Sequence, residues 1–358
     1  MAPTILLTGF PGFIGTRLAR RLLADDPEAR VIALVEPRMA ERAREAAGVR
    51  DLDRVEVLPG DIVDPRLGLD EHAYARLTRE VTSVHHLAAV YDLAVGAALA
   101  ERVNVHGTQH VLDLCLACQR LERHNYVSTA YVAGTRSGRV LESELDEGQS
   151  FKNHYESTKF AAEVLVRATI GRVPTTIYRP AIVVGDSKTG ETQKFDGPYY
   201  LLRVLSRVQR LHVPIPQIGR GDAPFNVVPV DFVIDAIATG ARDPEAAGET
   251  LHLVDPEPSS AAELMRIFAG EYARRAPAYR LPSKVVERLL RYAPVRRMLG
   301  GTPRESVVYL NHPVTFDTTC ATAMLDRKGL RCPRFPEYAA NIVRFFREHE
   351  HDPTYTPA

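Results

Sequence analysis

Residues 8–15 read Thr-Gly-Phe-Pro-Gly-Phe-Ile-Gly, and this stretch decides the fold. An apolar run, Ile5-Leu6-Leu7, precedes it and predicts a buried strand. Phe13, Ile14, Leu18 and Leu22 follow at helical spacing. Strand, glycine turn and helix, in that order, make the setting of a dinucleotide-binding turn. Gly9 permits a sharp turn after the strand. Gly12 lets a pyrophosphate approach the main chain, and Gly15 lets the helix pack closely on the strand. The free N–H groups of the first helical turn, with the positive end of the helix dipole, then face the phosphates. Phe10, Pro11, Phe13 and Ile14 fill the rest of the turn. An isolated match of this kind is equally an ordinary tight turn; its place after a first N-terminal strand points to a nucleotide.

Composition narrows the reading. The 358 residues carry 45 Lys and Arg against 45 Asp and Glu, a formal net charge of zero, which argues against a nucleic-acid surface. No apolar run reaches membrane-spanning length. The N-terminus lacks the basic region and long apolar core of a signal peptide, so a soluble, cytoplasmic protein with no membrane span is expected. Cys115 and Cys118 have C-x-x-C spacing, but Cys320 and Cys332 lie far downstream. Without a second close pair, and within the apolar run Val111–Leu121, they read as core thiols; no metal site is expected. His85 and His86 are adjacent and on a strand would point opposite ways, so they read as structural.

Further along, Val31–Val35 predicts a second buried strand ending at Glu36. An acid there accepts hydrogen bonds from the adenosine ribose and opposes a 2′-phosphate, whereas Arg38 favours that phosphate. The cues conflict, so the expected cofactor is NAD(P)H with no stated preference. Ala40–Ala47 reads as a helix. Val55–Leu58 predicts a third strand running into Gly60-Asp61-Ile62, where Asp61 is either an acceptor for the adenine amino group or a turn residue. Val84–Ala89 predicts a fourth strand, and the small Ala88 and Ala89 at its end allow a cofactor to come close. Asn104–Leu121 reads as a helix, Asn125–Ser128 as a fifth strand with Thr129 directly after it, and Asn153–Ala168 as a strong helix. Thr175–Tyr178 is a sixth strand, broken by Arg179-Pro180, with Ile182–Val184 continuing to Gly185.

This alternation predicts an α/β fold, a Rossmann-type doubly wound parallel sheet over residues 1–185. Val227–Val230 and Leu251–Val254 are expected to return to that sheet, with Asp231 capping the helix after Val230. Asp186–Asp196 is loop-like, Gly197-Pro198 a breaker and Tyr199–Val208 a helix. From Ser259 the chain is mostly helical, with prolines at 277, 282, 294 and 303. Residues 186–226 and 255–358 are therefore expected to form a smaller, mostly helical substrate-binding region. Its ligand site should lie at the carboxyl ends of the strands.

Tyr155 and Lys159 stand at i and i+4 on the predicted helix and share a face. An ammonium beside a phenol stabilises phenolate, so Lys159 is expected to lower the pKa of Tyr155 and make it a usable proton donor or acceptor. Thr129 or Ser128 adds a hydroxyl that holds a carbonyl oxygen as negative charge develops on it. A hydride from a nicotinamide to the carbon completes a carbonyl reduction. Y-x-x-x-K alone is a solvated helix pair as often as a site; the glycine turn, the Asn-x-x-Gly-Thr helix and the Ser-Thr strand end in chain order give it meaning.

These elements together resemble the extended short-chain dehydrogenase/reductases. The matching segments are TGFPGFIG (8–15), GDI (60–62), HLAA (86–89), NVHGT (104–108), VSTAYV (127–132), YESTK (155–159) and YRPAIVVG (178–185). Within that family the chain is most similar to the thioester-reductase and fatty-acyl-CoA-reductase branch, on STAYV, RPAIVVGDSKTGE (179–191) and FDGPYY (195–200). The resemblance implies an NAD(P)H-dependent reductase of an acyl thioester or related carbonyl, small-molecule or carrier-bound. It implies that Gly9, Gly12 and Gly15 hold the pyrophosphate, Asp61 and Ile62 flank the adenine, and Ala88 and Ala89 line the phosphate-nicotinamide cleft. Thr129, with Ser128 beside it, would polarise the substrate oxygen. Tyr155 would donate the proton, and Lys159 would bind the nicotinamide ribose and tune Tyr155. Pro180, Ala181, Ile182 and Val183 would meet the carboxamide through backbone groups, and Asn104 would fix its helix.

Two departures stand out. Relatives of this branch often carry arginine where Glu36 stands, and they are often fused to carrier or adenylation domains or end in a membrane segment; neither pattern is seen here. Two alternatives share the motifs: a sugar-nucleotide epimerase, dehydratase or hydroxysteroid-type dehydrogenase, and an NAD(P)-sensing regulator without turnover. Arg203, Arg207 and Arg210, at helical spacing, read as a solvated face or as contacts for a phosphopantetheine. Phe160, Ala161, Val164, Leu165 and Val166 spread wider than one face of the Tyr155 helix, which suits either burial by the sheet or a homodimer contact.

Overall fold

The computed structural model describes residues 2–92, 94–219, 221–289, 291–292 and 308–356. In chain order the strands are β1 (Thr4–Thr8), β2 (Arg30–Val35), β3 (Val55–Pro59), β4 (Ser83–His86), β5 (Arg123–Val127), β6 (Gly138–Val140) and β7 (Thr175–Pro180). They continue as β8 (Ile182–Val184), β9 (Pro216–Ile218), β10 (Val227–Pro229), β11 (Thr250–Leu253), β12 (Tyr279–Leu281) and β13 (Val314–Phe316). The helices are α1 (Phe13–Asp25), α2 (Ala40–Ala47), α3 (Glu71–Glu80), α4 (Ala97–Ala100), α5 (Gly107–Ala117) and α6 (His154–Thr169). After these come α7 (Tyr199–Arg210), α8 (Val230–Arg242), α9 (Ala261–Ala273), α10 (Ser283–Leu289), α11 (Thr319–Asp326) and α12 (Phe335–His349).

Seven strands form one parallel sheet in the order β11-β7-β5-β4-β1-β2-β3. The chain winds one way from β1 through β3 and the other way from β4 through β11, so the order reverses between β1 and β4. That reversal opens a crevice at the strands' carboxyl ends. β1 is buried along its whole length, as a strand covered on both faces must be. Ile5 and Leu7 pack with Leu18 and Leu22 of α1 and Val233 and Ile237 of α8. Leu6, pointing the other way, packs with Leu77 of α3 and Val111 and Leu114 of α5.

A second core lies outside this sheet. Leu202 and Leu205 of α7, Leu264 and Phe268 of α9, and Phe335, Tyr338 and Phe346 of α12 form it, with Phe195, Phe225 and Tyr309 from the connecting chain. α11 and β13 instead join the first core, through Val314, Phe316, Met324 and Leu325.

Several sequence expectations are corrected. Only β11 returns to the main sheet. β10 pairs with β8 in a separate two-stranded ribbon, because the chain leaves the sheet after Pro180 and takes its next partner from Val227–Pro229. Asp231 does not cap α8. It lies in the first turn, and its carboxylate accepts the Ser187 N–H at 2.9 Å and the Ser187 hydroxyl at 2.5 Å. The helix expected from Asn104 begins earlier, as α4, passes through a π-helical turn at Glu101–His106 and ends at Ala117, leaving Cys118 just outside it. Most of the apolar spread on α6 is used within the chain: Ala162 and Val166 pack on Leu112, Tyr126 and Ile177, and Phe160 lies 5.0 Å from the Phe151 ring. Val164 stays exposed. Pro294 and Pro303 lie outside the described residues. Among the described residues no helix is long and apolar enough to cross a membrane, and no group of three or more His, Cys, Asp and Glu could hold a metal ion.

Candidate active site

The glycine turn closes around a single carbonyl. Gly9 has φ +89°, a conformation L side chains rarely adopt, and a Cβ there would sit 3.0 Å from Leu87 Cβ. A Cβ on Gly12 or Gly15 would come within 2.7 or 2.4 Å of the Gly9 oxygen. The Gly12 N–H donates to that same oxygen at 2.9 Å. α1 then begins with no side-chain cap and no acidic residue in its first turn. Uncapped donors at the positive end of a helix, beside a turn with no room for a Cβ, fit an anionic pyrophosphate. Phe10 is buried beneath the turn, and the Arg17 guanidinium lies over the Phe13 ring.

At the end of β2, Glu36 and Arg38 form an ion pair, so the two residues with opposite cofactor cues offset each other. Asp61 shapes its turn: its Oδ1 accepts the Val63 N–H at 3.0 Å, and its own N–H donates to Leu67 O at 2.8 Å. Ile62 packs beneath α5, where a Cβ on Gly107 would lie 2.7 Å from Ile62 Cδ1.

A directed chain of hydrogen bonds spans the crevice. Thr8 Oγ1 accepts the N–H groups of Leu87 and Ala88, both at 3.1 Å, so its own proton goes to His86 Nδ1 at 2.8 Å. His86 Nε2–H then donates to Thr108 Oγ1 at 3.0 Å, and that hydroxyl donates to Asn104 O at 2.7 Å. Burial first, then the nearby Lys159 charge and His124, hold His86 well below its usual pKa and keep it neutral. Asn104 clamps Val90 through both amide groups, at 2.8 and 3.1 Å, and donates to Thr158 of α6 at 3.0 Å. All three bonds of its amide stay within the chain. The backbone around Ala88 and Ala89 is thereby tied to the helix that carries Tyr155. Thr8 and Thr108 were not singled out in the sequence; the spacing of a hydroxyl just before the glycine turn was the available signal.

The candidate hydroxyl and amine groups gather at the tip of β5. Asn153 caps α6, its Oδ1 accepting the Glu156 N–H at 2.9 Å. In the first turn of that helix Tyr155 lies beside Thr129, whose hydroxyl favours the ionised phenol. Thr129 is buried, and its Oγ1 also accepts the Tyr131 N–H at 3.3 Å. Lys159 Nζ donates to Val127 O at 2.7 Å and to Tyr126 Oη at 2.9 Å, 4.4 Å from the Tyr126 ring centroid.

Here the expected tuning is corrected. Burial pushes Tyr155 up to about 12, against the Thr129 hydrogen bond, which favours the ionised form. The lysine donors point at the strand tip instead of the phenol. Burial also pushes Lys159 down to about 7, opposed by the Glu163 charge. Near neutral pH Tyr155 therefore holds its proton.

Ser128 is also corrected. On extended backbone neighbouring side chains face opposite ways, so Thr129 meets Tyr155 while Ser128 donates to Glu163 Oε2 at 2.6 Å, away from the phenol. Glu163 is fully buried and paired with the equally buried Arg179 at 2.6 Å. In the sequence Glu163 carries no signal, and Arg179 stands only in the RPAIVVG segment and in the break after the sixth strand. Beyond it, the Ala181 N–H donates to Leu253 O at 3.1 Å and the Ile182 N–H to Asn226 O at 3.3 Å. Those two N–H groups are therefore used within the chain, Pro180 has none, and Val183 lies in β8 opposite Val228; any contact these four residues make to a carboxamide would fall to their carbonyls. Arg210 pairs with Glu350 at 3.6 Å and Arg207 is exposed at the end of α7, in keeping with a solvated face.

The sheet, the glycine turn at its reversal and the Thr129-Tyr155-Lys159 cluster define the class: an NAD(P)-dependent oxidoreductase of the extended short-chain dehydrogenase/reductase kind. Residues 7–237 match the NAD-binding family described as Male sterility protein, and the chain belongs to that family. It is 27% identical over 376 residues to a linear gramicidin synthase from Brevibacillus parabrevis, covering 95% of this chain and 7% of that protein. It is 30% identical over 283 residues to the L-2-aminoadipate reductase of Penicillium chrysogenum, in its large subunit, covering 72% of this chain and 20% of that one. The chain thus spans a fifth or less of the length of these relatives. Among solved structures, the terminal R domain of the myxalamid PKS-NRPS pathway superposes with a TM-score of 0.82 at 28% identity, covering 99% of this chain and 93% of that one. A thiolation-reductase di-domain from an archaeal non-ribosomal peptide synthetase gives 0.74 at 16% identity, covering 98% and 76%. UDP-glucuronic acid 4-epimerase from Bacillus cereus, in complex with NAD, gives 0.68 at 18%, covering 96% and 99%; these last two share the fold.

Proposed function

We propose that this chain is an NAD(P)H-dependent reductase of acyl thioesters presented on a carrier. The observation that carries the reading is the Tyr155–Thr129 hydroxyl pair, with Lys159 one turn along α6, at the carboxyl end of the sheet that also holds the glycine turn. Gly9, Gly12, Gly15 and the start of α1 would hold the cofactor's pyrophosphate, and Lys159 its ribose. The reduced nicotinamide, when bound, supplies the hydride. Thr129 and Tyr155 orient a substrate carbonyl oxygen by hydrogen bonds that strengthen as it gains negative charge. Tyr155 keeps its proton at neutral pH and delivers it to that oxygen. Burial of Thr129 and Lys159 keeps water from the same place.

Residues 186–226 and 255–358 supply the substrate region in this reading; the second core built from α7, α9 and α12 supports it. Its likeness to a terminal R domain and to a thiolation-reductase di-domain supports carrier delivery. A cytoplasmic setting suits its four unpaired cysteines.

The test is cofactor oxidation with octanoyl-coenzyme A, octanal, a ketone and a UDP-sugar, run with NADH and NADPH side by side. Oxidation with the thioester supports the reading. Tightly retained NAD⁺ together with conversion of the UDP-sugar, and no thioester reduction, would replace it with the epimerase reading.

A further inference from the structure

One face of α6 meets the tip of β5 three times. Tyr155, Lys159 and Glu163 stand at i, i+4 and i+8, so they share that face. Tyr155 lies beside Thr129, Lys159 donates to Val127 O at 2.7 Å, and Glu163 accepts the Ser128 hydroxyl at 2.6 Å. Three consecutive residues, 127–129, are pinned by successive turns of one helix. The first two contacts belong to groups with a chemical task. The third has no task assigned.

Glu163 is held unusually firmly for such a residue. Its Oε1 accepts Arg179 Nη2 at 2.6 Å, Arg179 Nε at 3.2 Å and Arg167 Nε at 3.1 Å. Arg179 spends its other donors on Glu144 O at 2.8 Å, Glu142 O at 3.5 Å and His252 Nε2 at 3.2 Å. Burial would raise the Glu163 pKa, but Arg179, Ser128 and Arg167 together hold it below its usual value, so it stays ionised. A buried ion pair adds little stability over apolar residues of the same volume. A carboxylate one turn beyond the lysine therefore calls for another reason.

We propose that Glu163 is a positioning residue of the reaction: locked by Arg179, it holds Ser128 away from the phenol, sets the Thr129 hydroxyl against Tyr155, and supplies the counter-charge for Lys159. This deepens the reductase reading and rests on it. Lys159 is faced by Glu163 from its own helix, by Tyr126 from β5 and by neutral His86 from β4, with Arg179 of β7 behind Glu163. Of these, Glu163 favours the charged lysine. Without it, burial acts on Lys159 unopposed, and less of the ammonium survives at neutral pH.

The experiment uses the full chain with [¹³Cε]-lysine, the Lys159 resonance being assigned by its loss in Lys159→Arg. Glu163→Gln keeps an acceptor for Ser128 and removes the charge. Glu163→Gln/Arg179→Gln removes both charges, so Arg179 is not left buried without its partner, and it guards against a fold lost to that cation alone. The Lys159 midpoint should fall by about half a pH unit or more in both variants. Melting temperature should drop in the single variant and recover in the double. With octanoyl-coenzyme A and NADPH, kcat should fall about tenfold in both with KM little changed, the decline of kcat at rising pH should begin at lower pH, and Glu163→Asp should restore part of it. If the double variant regains both stability and the wild-type Lys159 midpoint, Glu163 is a structural residue only and the proposal is overturned. The titration needs no turnover, so failure of the thioester assay would count against the reductase reading without being confused with this result.

Discussion

The two cores of the molecule are built on different principles. The first surrounds a parallel sheet in which each strand is followed within a few residues by the turn or helix that covers it, so Ile5, Leu7, Leu18 and Leu22 meet across one short stretch of chain. The second is assembled from distant pieces, Phe195 touching Phe346 and Tyr355, and Phe268 touching Phe335. In the proposed function, chemistry is placed on the first, at a reversal in strand order, while the second supplies shape. A site on rigid, locally specified elements tolerates variation in the region that reads the substrate.

The sharpest way to break this division is Tyr155→Phe. It should leave cofactor affinity within about twofold of wild type and lower turnover by about a hundredfold or more, measured by cofactor oxidation and by fluorescence titration. Next in size, Phe268→Ala should destabilise the second core by about 3–5 kcal/mol in denaturant unfolding, while Gly15→Ala, whose Cβ would meet the Gly9 oxygen, should weaken NADPH binding instead. If Phe268→Ala also abolishes cofactor affinity, the two cores do not work separately. A smaller effect concerns pH. Lys159 loses its proton as the pH rises through about 7, so cofactor affinity should decline between about pH 6 and 8 and become flat in Lys159→Met. Smallest, Glu36→Gln frees Arg38 from its pair and should shift the ratio of NADPH to NADH affinity about threefold toward NADPH, read from paired titrations.

The glycine turn, the strand ends and the Tyr155-Lys159 helix were legible because each is a local pattern: apolar run, glycine spacing, i to i+4 pair. The direction of side chains at the β5 tip was not. Ser128 and Thr129 are equivalent in sequence, and only the extended backbone after Val127 sends one toward Tyr155 and the other toward Glu163. Lys159 was assigned an effect on Tyr155 from helical spacing, yet its donors go to Val127 and Tyr126, which helical spacing cannot show. β10 reads as a short apolar strand just as β11 does, and its pairing with β8 depends on where the chain turns out of the sheet after Pro180. The Glu163–Arg179 pair joins residues 16 apart on different elements, with no motif to announce it.

The most direct measurement is a crystal structure of the chain with NADP⁺ and a non-reducible thioester analogue. The pyrophosphate should lie at Gly9–Gly15, and the analogue's carbonyl oxygen should sit within hydrogen-bond reach of both the Thr129 and Tyr155 hydroxyls, on the nicotinamide side. A nicotinamide bound elsewhere, or a Tyr155 hydroxyl facing away from it, would contradict the site described here.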